Sequence, residues 1–166
     1  PKIIVTACSS LSTFMMENRR DYGVKIVGVY PIAGKGNGYV FCTPRTEKSG
    51  YADTLRKLGA KVVGIRGLAS EIERAVTLGV KPNVEPFFDG FDRNAEYVSL
   101  GCTHYGFIRN ELSGIFPNAK LIDCNDEAEN EIKSFLSDHR RVDGDGEVCF
   151  IGAKSDKIAE IYSKII

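Results

Sequence analysis

Ser99-Leu100-Gly101-Cys102-Thr103-His104-Tyr105, near the middle of the 166-residue chain, is the stretch that decides the predicted fold. The apolar residues 97–100 are typical of the end of a buried strand. Beyond the stretch, apolar residues recur at the spacing of one helix face: Phe107, Ile108, Leu112 and Ile115. A thiol is therefore predicted where a strand passes into a helix, which is the edge at which open α/β sheets bind ligands.

Three neighbouring side chains at this edge carry reactive or polar groups. Cys102, Thr103 and His104 would supply a nucleophile or base, a hydroxyl donor and a group that handles protons. The alternative is a buried cysteine, a helix-capping threonine and a structural histidine, since a free cysteine is often simply buried. Both interpretations stay open on these residues alone.

A second stretch of the same form lies at the start of the sequence. Residues 2–7 are predicted to form a strand, and Cys8-Ser9-Ser10 follows it directly, before a predicted helix over 12–20. The N-terminus of a helix favours thiolates and bound anions. Two thiols in the same setting favour a functional interpretation more than one does.

The two stretches resemble the two catalytic motifs of the glutamate racemases, a family of the aspartate/glutamate racemase superfamily. Ala7-Cys8-Ser9-Ser10 is similar to the first motif, and the string from Leu100 to Tyr105 is similar to the second. The resemblance covers most of the chain and continues, in order, at residues 28–31, 43–46, 49–51, 68–73 and 121–123.

Composition excludes several other classes of protein. The 22 basic and 22 acidic side chains cancel, so no overall field attracts nucleic acid or an anionic membrane. No run approaches the ~20 apolar residues of a membrane span. The five cysteines are unevenly spaced, which argues against a disulfide framework or structural zinc and fits a reducing cytoplasm.

Strand and helix patterns alternate along the chain, which predicts an α/β protein with parallel sheets covered by helices. Strands are predicted over 2–7, 25–29, 39–42, 61–65, 96–100, 119–122 and 147–151. Helices are predicted over 12–20, 49–58, 68–78, 84–91, 107–116, 126–137 and 155–165.

The resemblance implies two pseudo-symmetric lobes with the active site in the cleft between them. Residues 1–29 and 105–166 would form one discontinuous lobe, and residues 30–104 the other. In the family, an earlier strand and helix carry an Asp-Ser motif beside the first cysteine. That portion is not among the 166 residues, so we expect the 166-residue chain itself to be inactive or nearly so.

The resemblance implies a cofactor-independent isomerase with no metal, which interconverts L- and D-glutamate and supplies D-glutamate for peptidoglycan. Thiols suit proton transfer because their pKa lies close to working pH. The implied catalytic residues are Cys8 and Cys102, with His104 and Glu73 assisting Cys102. The implied substrate-binding residues are Ser9, Ser10, Thr43, Thr46 and Thr103. The implied partners are a small acidic amino acid and a second copy in a homodimer, without nucleic acid or membrane, in the cytoplasm.

Two alternatives remain. Ser9 stands where the family usually has Asn, which leaves room for another superfamily member, such as an aspartate racemase, a decarboxylase or another isomerase. The second alternative is a non-catalytic relative that binds an acidic ligand or a protein partner.

Overall fold

A computed structural model describes residues 3–18 and 20–138, together with Cys149 and Ile151. Within these residues, six strands form two sheets in which every pairing is parallel: β1–β2, and a four-stranded sheet of order β4-β3-β5-β6. The strands are β1 (Ile3–Thr6), β2 (Lys25–Gly28), β3 (Gly38–Cys42), β4 (Lys61–Gly64), β5 (Tyr97–Gly101) and β6 (Lys120–Asp123).

Helices connect the strands, as parallel pairing requires. The α-helices are α1 (Ser9–Glu17), α2 (Pro44–Glu47), α3 (Gly50–Lys57), α4 (Leu68–Leu78), α5 (Arg109–Ile115) and α6 (Cys124–Asp138). Two 3₁₀ helices cover Glu85–Phe88 and Thr103–Ile108. None of the helices in the described part of the chain is long and apolar enough to cross a membrane.

The four-stranded sheet carries most of the hydrophobic core. Its central strand β5 is buried along its whole length, as expected for a strand covered on both faces. On one face, the rings of Phe41, Phe88 and Phe116 pack together with centroids 5.0–5.8 Å apart. A smaller cluster that includes Val27, Val29, Cys124 and Ala128 joins β2 to α6. The core therefore holds the carboxyl ends of β3 and β5 rigidly side by side.

The predicted fold class, α/β with parallel sheets flanked by helices, is confirmed. The first six predicted strands are all present, with ends that differ by a residue or two. The predicted helix over 155–165 lies outside the described residues, and so does the predicted strand over 147–151 apart from Cys149 and Ile151.

Several helices differ from their predictions in length. Helix α1 begins at Ser9 rather than residue 12, with Cys8 in extended conformation as its N-cap. It ends at Glu17, because Asn18 leaves the helical conformation with φ of −110° and ψ of 50°, and the Asn18 side-chain amide donates to the Phe14 carbonyl. The predicted helix over 84–91 shrinks to four residues, since Asp89 is extended with a ψ of 136° and Gly90 follows it with a φ of 81°.

Both sheets lie in one compact unit that ends at Phe135. Strand β6 pairs with β5, so the four-stranded sheet takes one strand from the segment after residue 105. The lobe boundaries at residues 29 and 105 stay a prediction.

Candidate active site

Cys8 and Cys102 each follow the carboxyl end of a parallel strand. Cys8 is the N-cap of α1, and Cys102 is the N-cap of the 3₁₀ helix Thr103–Ile108. Both residues have extended backbone conformations, with φ of −155° and −143°. Each cysteine therefore joins the end of a strand to the start of a helix. Each thiol lies at an edge where α/β sheets bind ligands.

Cys102 lies in a buried but polar setting, with only 6% of its surface exposed. Burial raises the pKa of its thiol, while the nearby backbone N–H groups of His104 and Tyr105 act to lower that pKa. The Nδ1 atom of His104 lies 3.9 Å from Sγ. A thiolate formed here would meet two amide donors and one imidazole.

Cys8 is exposed, and its charge is one of the causes that raise the pKa of Cys102. The backbone of Cys8 is fixed by Ser12, whose Oγ lies 3.0 Å from the Cys8 carbonyl oxygen and 3.0 Å from the donating N–H of Val29. Ser12 thus ties the Cys8 turn to the end of β2.

Three hydroxyls, one on α1 and two at the start of α2, lie within hydrogen-bond distance of one another. Ser10 Oγ on α1 lies 2.7 Å from Thr43 Oγ1 and 3.0 Å from Thr46 Oγ1, and the two threonine oxygens are 3.1 Å apart. Thr43 is also the N-cap of α2, where it accepts a bond from the Thr46 N–H. We call Ser10, Thr43 and Thr46 the hydroxyl trio. Hydroxyl donors bind carboxylates without leaving a buried charge when no ligand is present.

The other predicted substrate ligands occupy less direct positions. Ser9 is 2% exposed, and its Oγ lies 3.9 Å from the buried thiol of Cys124. Thr103 is half-buried, and its carbonyl accepts a bond from the Asn125 side chain at 3.4 Å. The roles of both residues in substrate binding stay predictions.

Glu73 lies on α4 with an exposed side chain, and it makes no hydrogen bond or ion pair with another described residue. Glu71, two residues earlier on the same helix, accepts from Arg74 at 2.8 Å and 2.9 Å, and from the Asn83 N–H at 3.1 Å. Helix α4 packs against the 3₁₀ helix that follows Cys102. The assistance of Cys102 by Glu73 stays a prediction.

Sequence reasoning missed the residues whose hydrogen bonds hold the backbone around Cys8 and around Cys102. Ser12 holds the Cys8 turn, and the phenol of Tyr105 holds the Cys102 turn. Asp123, at the end of β6, accepts a bond from the Asn125 N–H at 2.9 Å, and Asn125 supports Thr103. Tyr105 had a sequence signal as part of the second motif, and Asp123 had one as part of the resemblance at residues 121–123.

Gly101 allows a close approach between strands. A Cβ atom there would lie 2.8 Å from the Phe41 carbonyl oxygen and 3.0 Å from Pro31. Its φ is not positive, so the missing side chain, rather than an unusual backbone conformation, is what this position requires. In the described residues, no group of three or more His, Cys, Asp or Glu side chains is arranged to hold a metal ion.

Curated relatives of the chain are glutamate racemases. The protein from Aliivibrio salmonicida (strain LFI1238) is 27% identical over an alignment of 174 positions. The alignment covers 93% of this chain and 65% of that protein. The protein from Brucella ovis is 30% identical over 138 residues, which cover 70% of this chain and 50% of that protein. The chain thus spans about half to two thirds of the length of these relatives. No protein-family profile matches it.

Solved structures with the same fold are also glutamate racemases. The Escherichia coli enzyme in complex with L-glutamate and the activator UDP-MurNAc-Ala superposes with a TM-score of 0.78 at 19% identity, over 98% of this chain and 70% of that one. The Francisella tularensis enzyme in complex with D-glutamate gives a TM-score of 0.68 at 23% identity, with the same coverage. At these identities the likeness shows the fold. The chain is therefore similar to the glutamate racemases in sequence and shares their two-lobed α/β fold, as its two cysteine motifs predicted.

Proposed function

We propose that this protein is a cofactor-independent isomerase that interconverts L- and D-glutamate by proton transfer between Cys8, Cys102 and the substrate Cα. The observation that carries the proposal is that both thiols follow the carboxyl ends of parallel strands, each at the N-cap of the helix that comes next. The hydroxyl trio supports it, because Ser10 follows Cys8 closely on α1 while Thr43 and Thr46 lie on α2, beside the sheet that carries Cys102.

Inversion at Cα needs a base on one face of the carbon and an acid on the other. One thiolate removes the Cα proton, and the electron pair of the C–H bond is delocalised toward the substrate's α-carboxylate. The opposite thiol then delivers its proton from the other face, so one thiol and one thiolate are present before and after. The roles of Cys8 and Cys102 exchange for the other enantiomer.

The groups around Cys102 suit both protonation states that this cycle needs. Burial favours the neutral thiol, which acts as the acid. The N–H groups of His104 and Tyr105 favour the thiolate, which acts as the base. His104, with Nδ1 3.9 Å from the sulfur, is placed to exchange a proton with it.

The substrate carboxylates would take over hydrogen bonds that the hydroxyl trio now makes internally. Each hydroxyl can rotate to donate to an oxygen anion, and such charge-assisted bonds are stronger than the neutral ones they replace. Ser9, Thr103 and Glu73 complete the proposed set.

Glutamate is the proposed substrate because the relatives carry that name, and because the E. coli and F. tularensis structures hold L- and D-glutamate. We further propose the predicted lobes 1–29 with 105–166, and 30–104, as the two walls of the cleft. D-glutamate for peptidoglycan, a cytoplasmic location and a homodimer belong to the same proposal.

The test is exchange of the substrate Cα proton with deuterium oxide, which is more sensitive than net racemisation. The 166-residue chain is incubated with L-glutamate or D-glutamate, and ¹H NMR and mass spectrometry follow deuterium at Cα. We expect slow exchange that a Cys8→Ala/Cys102→Ala double variant lacks, with little net racemisation. Exchange at the same rate in the double variant would contradict the proposal.

The same experiment separates the two alternatives. Aspartate in place of glutamate tests the wider superfamily, and carbon dioxide release would identify a decarboxylase. Saturable glutamate binding by calorimetry, with no deuterium uptake from either enantiomer, would indicate a non-catalytic relative and overturn the proposed function.

A further inference from the structure

The phenol of Tyr105 joins two parts of the chain that are 63 residues apart in sequence. The side chain is fully buried, and its O–H donates to the Cys42 carbonyl at 3.1 Å. Burial is the largest of the causes that raise the pKa of the phenol, so it stays a protonated donor. This is a fixed contact between the 3₁₀ helix after Cys102 and the end of β3.

The backbone of Tyr105 contacts Cys102 itself. Its N–H donates to the Cys102 carbonyl at 2.9 Å and is one of the two N–H groups that stabilise the Cys102 thiolate. One residue therefore holds the Cys102 turn with its main chain and the neighbouring strand with its side chain.

The Cys42 carbonyl lies at the junction that presents the hydroxyl trio. Cys42 is the last residue of β3, and the next residue, Thr43, caps α2 and contacts Ser10. The same carbonyl also accepts from the Ile65 N–H at 2.8 Å. The atom that Tyr105 binds is thus one peptide bond away from a proposed substrate ligand.

We infer that Tyr105 is a positioning residue, which fixes the Cys102 thiol relative to the Thr43 and Thr46 hydroxyls. The inference rests on the proposed function in one respect: that these hydroxyls bind the substrate whose Cα proton Cys102 handles. Without the phenol bond, the 3₁₀ turn would be held beside β3 by core packing and by β5 alone, and the N–H groups after Cys102 would be fixed less precisely.

The variant Tyr105→Phe removes the oxygen and keeps the buried ring. The Cys42 carbonyl retains its bond from Ile65, so no buried acceptor loses its last partner, and the variant should fold. Tyr51→Phe is the matched control, because the Tyr51 O–H also donates to a backbone carbonyl, that of Pro31 at 2.9 Å. That bond joins α3 to the segment after β2 and does not involve the 3₁₀ helix.

The first readout is the pH dependence of Cys102 alkylation by iodoacetamide, resolved by peptide mass spectrometry. In Tyr105→Phe the midpoint should move up by about 0.7 of a pH unit, the equivalent of one hydrogen bond. In Tyr51→Phe it should stay where it is in the unmodified chain. An unchanged or lower midpoint in Tyr105→Phe overturns the inference.

The second readout is deuterium exchange at the glutamate Cα. Tyr105→Phe should slow the maximal exchange about fivefold and raise the half-saturating glutamate concentration, with thermal unfolding still cooperative. If the unmodified chain exchanges no deuterium, the proposed function fails, while the alkylation midpoint still decides whether Tyr105 positions Cys102. Exchange equal to that of the unmodified chain would overturn the inference.

Discussion

The Cys8 turn and the Cys102 turn occupy equivalent places in the two sheets, yet their surroundings differ. Cys8 is exposed at the start of a nine-residue α-helix. Cys102 is buried at the start of a 3₁₀ helix, and two N–H groups, an imidazole and the Tyr105 phenol contact or support its turn.

The difference shows that similar sequence motifs do not give similar environments. A thiolate at Cys102 depends on donors that the protein itself provides, because burial alone disfavours charge. We therefore expect substitutions around Cys102 to change its chemistry more than equivalent substitutions around Cys8.

The largest expected effect comes from removing each thiol in turn. Cys102→Ala should lower deuterium exchange of one glutamate enantiomer more than about 100-fold, since a positioned base contributes on that scale. Cys8→Ala should do so for the other enantiomer, and both variants should lose racemisation. Chiral chromatography with NMR measures both, and Cys149→Ala, at an exposed cysteine, is the control. Racemisation of both L- and D-glutamate after either change would contradict the proposed roles of the two thiols.

Gly101→Ala should lower the free energy of unfolding by about 1–3 kcal/mol, because the new methyl group would overlap the Phe41 carbonyl on the neighbouring strand. Gly114→Ala is the matched control, since nothing lies within 4 Å of a Cβ there and alanine favours a helix. Urea denaturation measures both. Equal stability of the two variants would mean that β3 and β5 are not held as tightly as described.

Ser10→Ala should weaken glutamate binding about tenfold, because it removes one charge-assisted donor from the hydroxyl trio. The control is Ser113→Ala, whose hydroxyl donates only to its own helix, at the Arg109 carbonyl. Isothermal titration calorimetry gives both affinities. Unchanged affinity in Ser10→Ala would remove the trio from the proposed binding site.

The smallest expected effect is on the free energy of unfolding at alkaline pH, and it comes from the buried thiol of Cys42. Burial is the main cause that raises the pKa of Cys42 from 9.0 to about 12, so the folded state favours the neutral thiol. The neutral thiol's contribution to the free energy of unfolding is fully present below pH 9 and is lost as pH rises toward 12. The loss amounts to about 1 kcal/mol by pH 9.5. In Cys42→Ala the decline in unfolding free energy between pH 8 and 9.5 should be shallower by that amount. An identical decline would contradict the described burial.

Sequence patterns predicted the framework because strand and helix periodicities are local. The strand preceding each cysteine was predicted to within a residue or two. The alternation of strands and helices along the chain was predicted as well. The early start of α1 was missed because Cys8 caps the helix through its backbone conformation alone, without a side-chain bond.

The site was predicted in part. Ser10, Thr43 and Thr46, taken from the family resemblance, do come together. The Tyr105–Cys42 bond joins residues 63 positions apart, and only tertiary packing creates it. The burial of Ser9 against Cys124 is of the same kind, since it joins residues 115 positions apart.

The central claim is that Cys8 and Cys102 face each other across a gap one substrate wide, about 7–8 Å for two van der Waals contacts to one carbon. Treatment of the folded chain with dibromo-m-xylene, which alkylates two nearby thiols, tests this directly by peptide mass spectrometry. We predict one intramolecular bridge between the Cys8 and Cys102 peptides, which glutamate suppresses and Cys8→Ala abolishes. Single alkylation of Cys8 with no bridge to Cys102 would contradict the account.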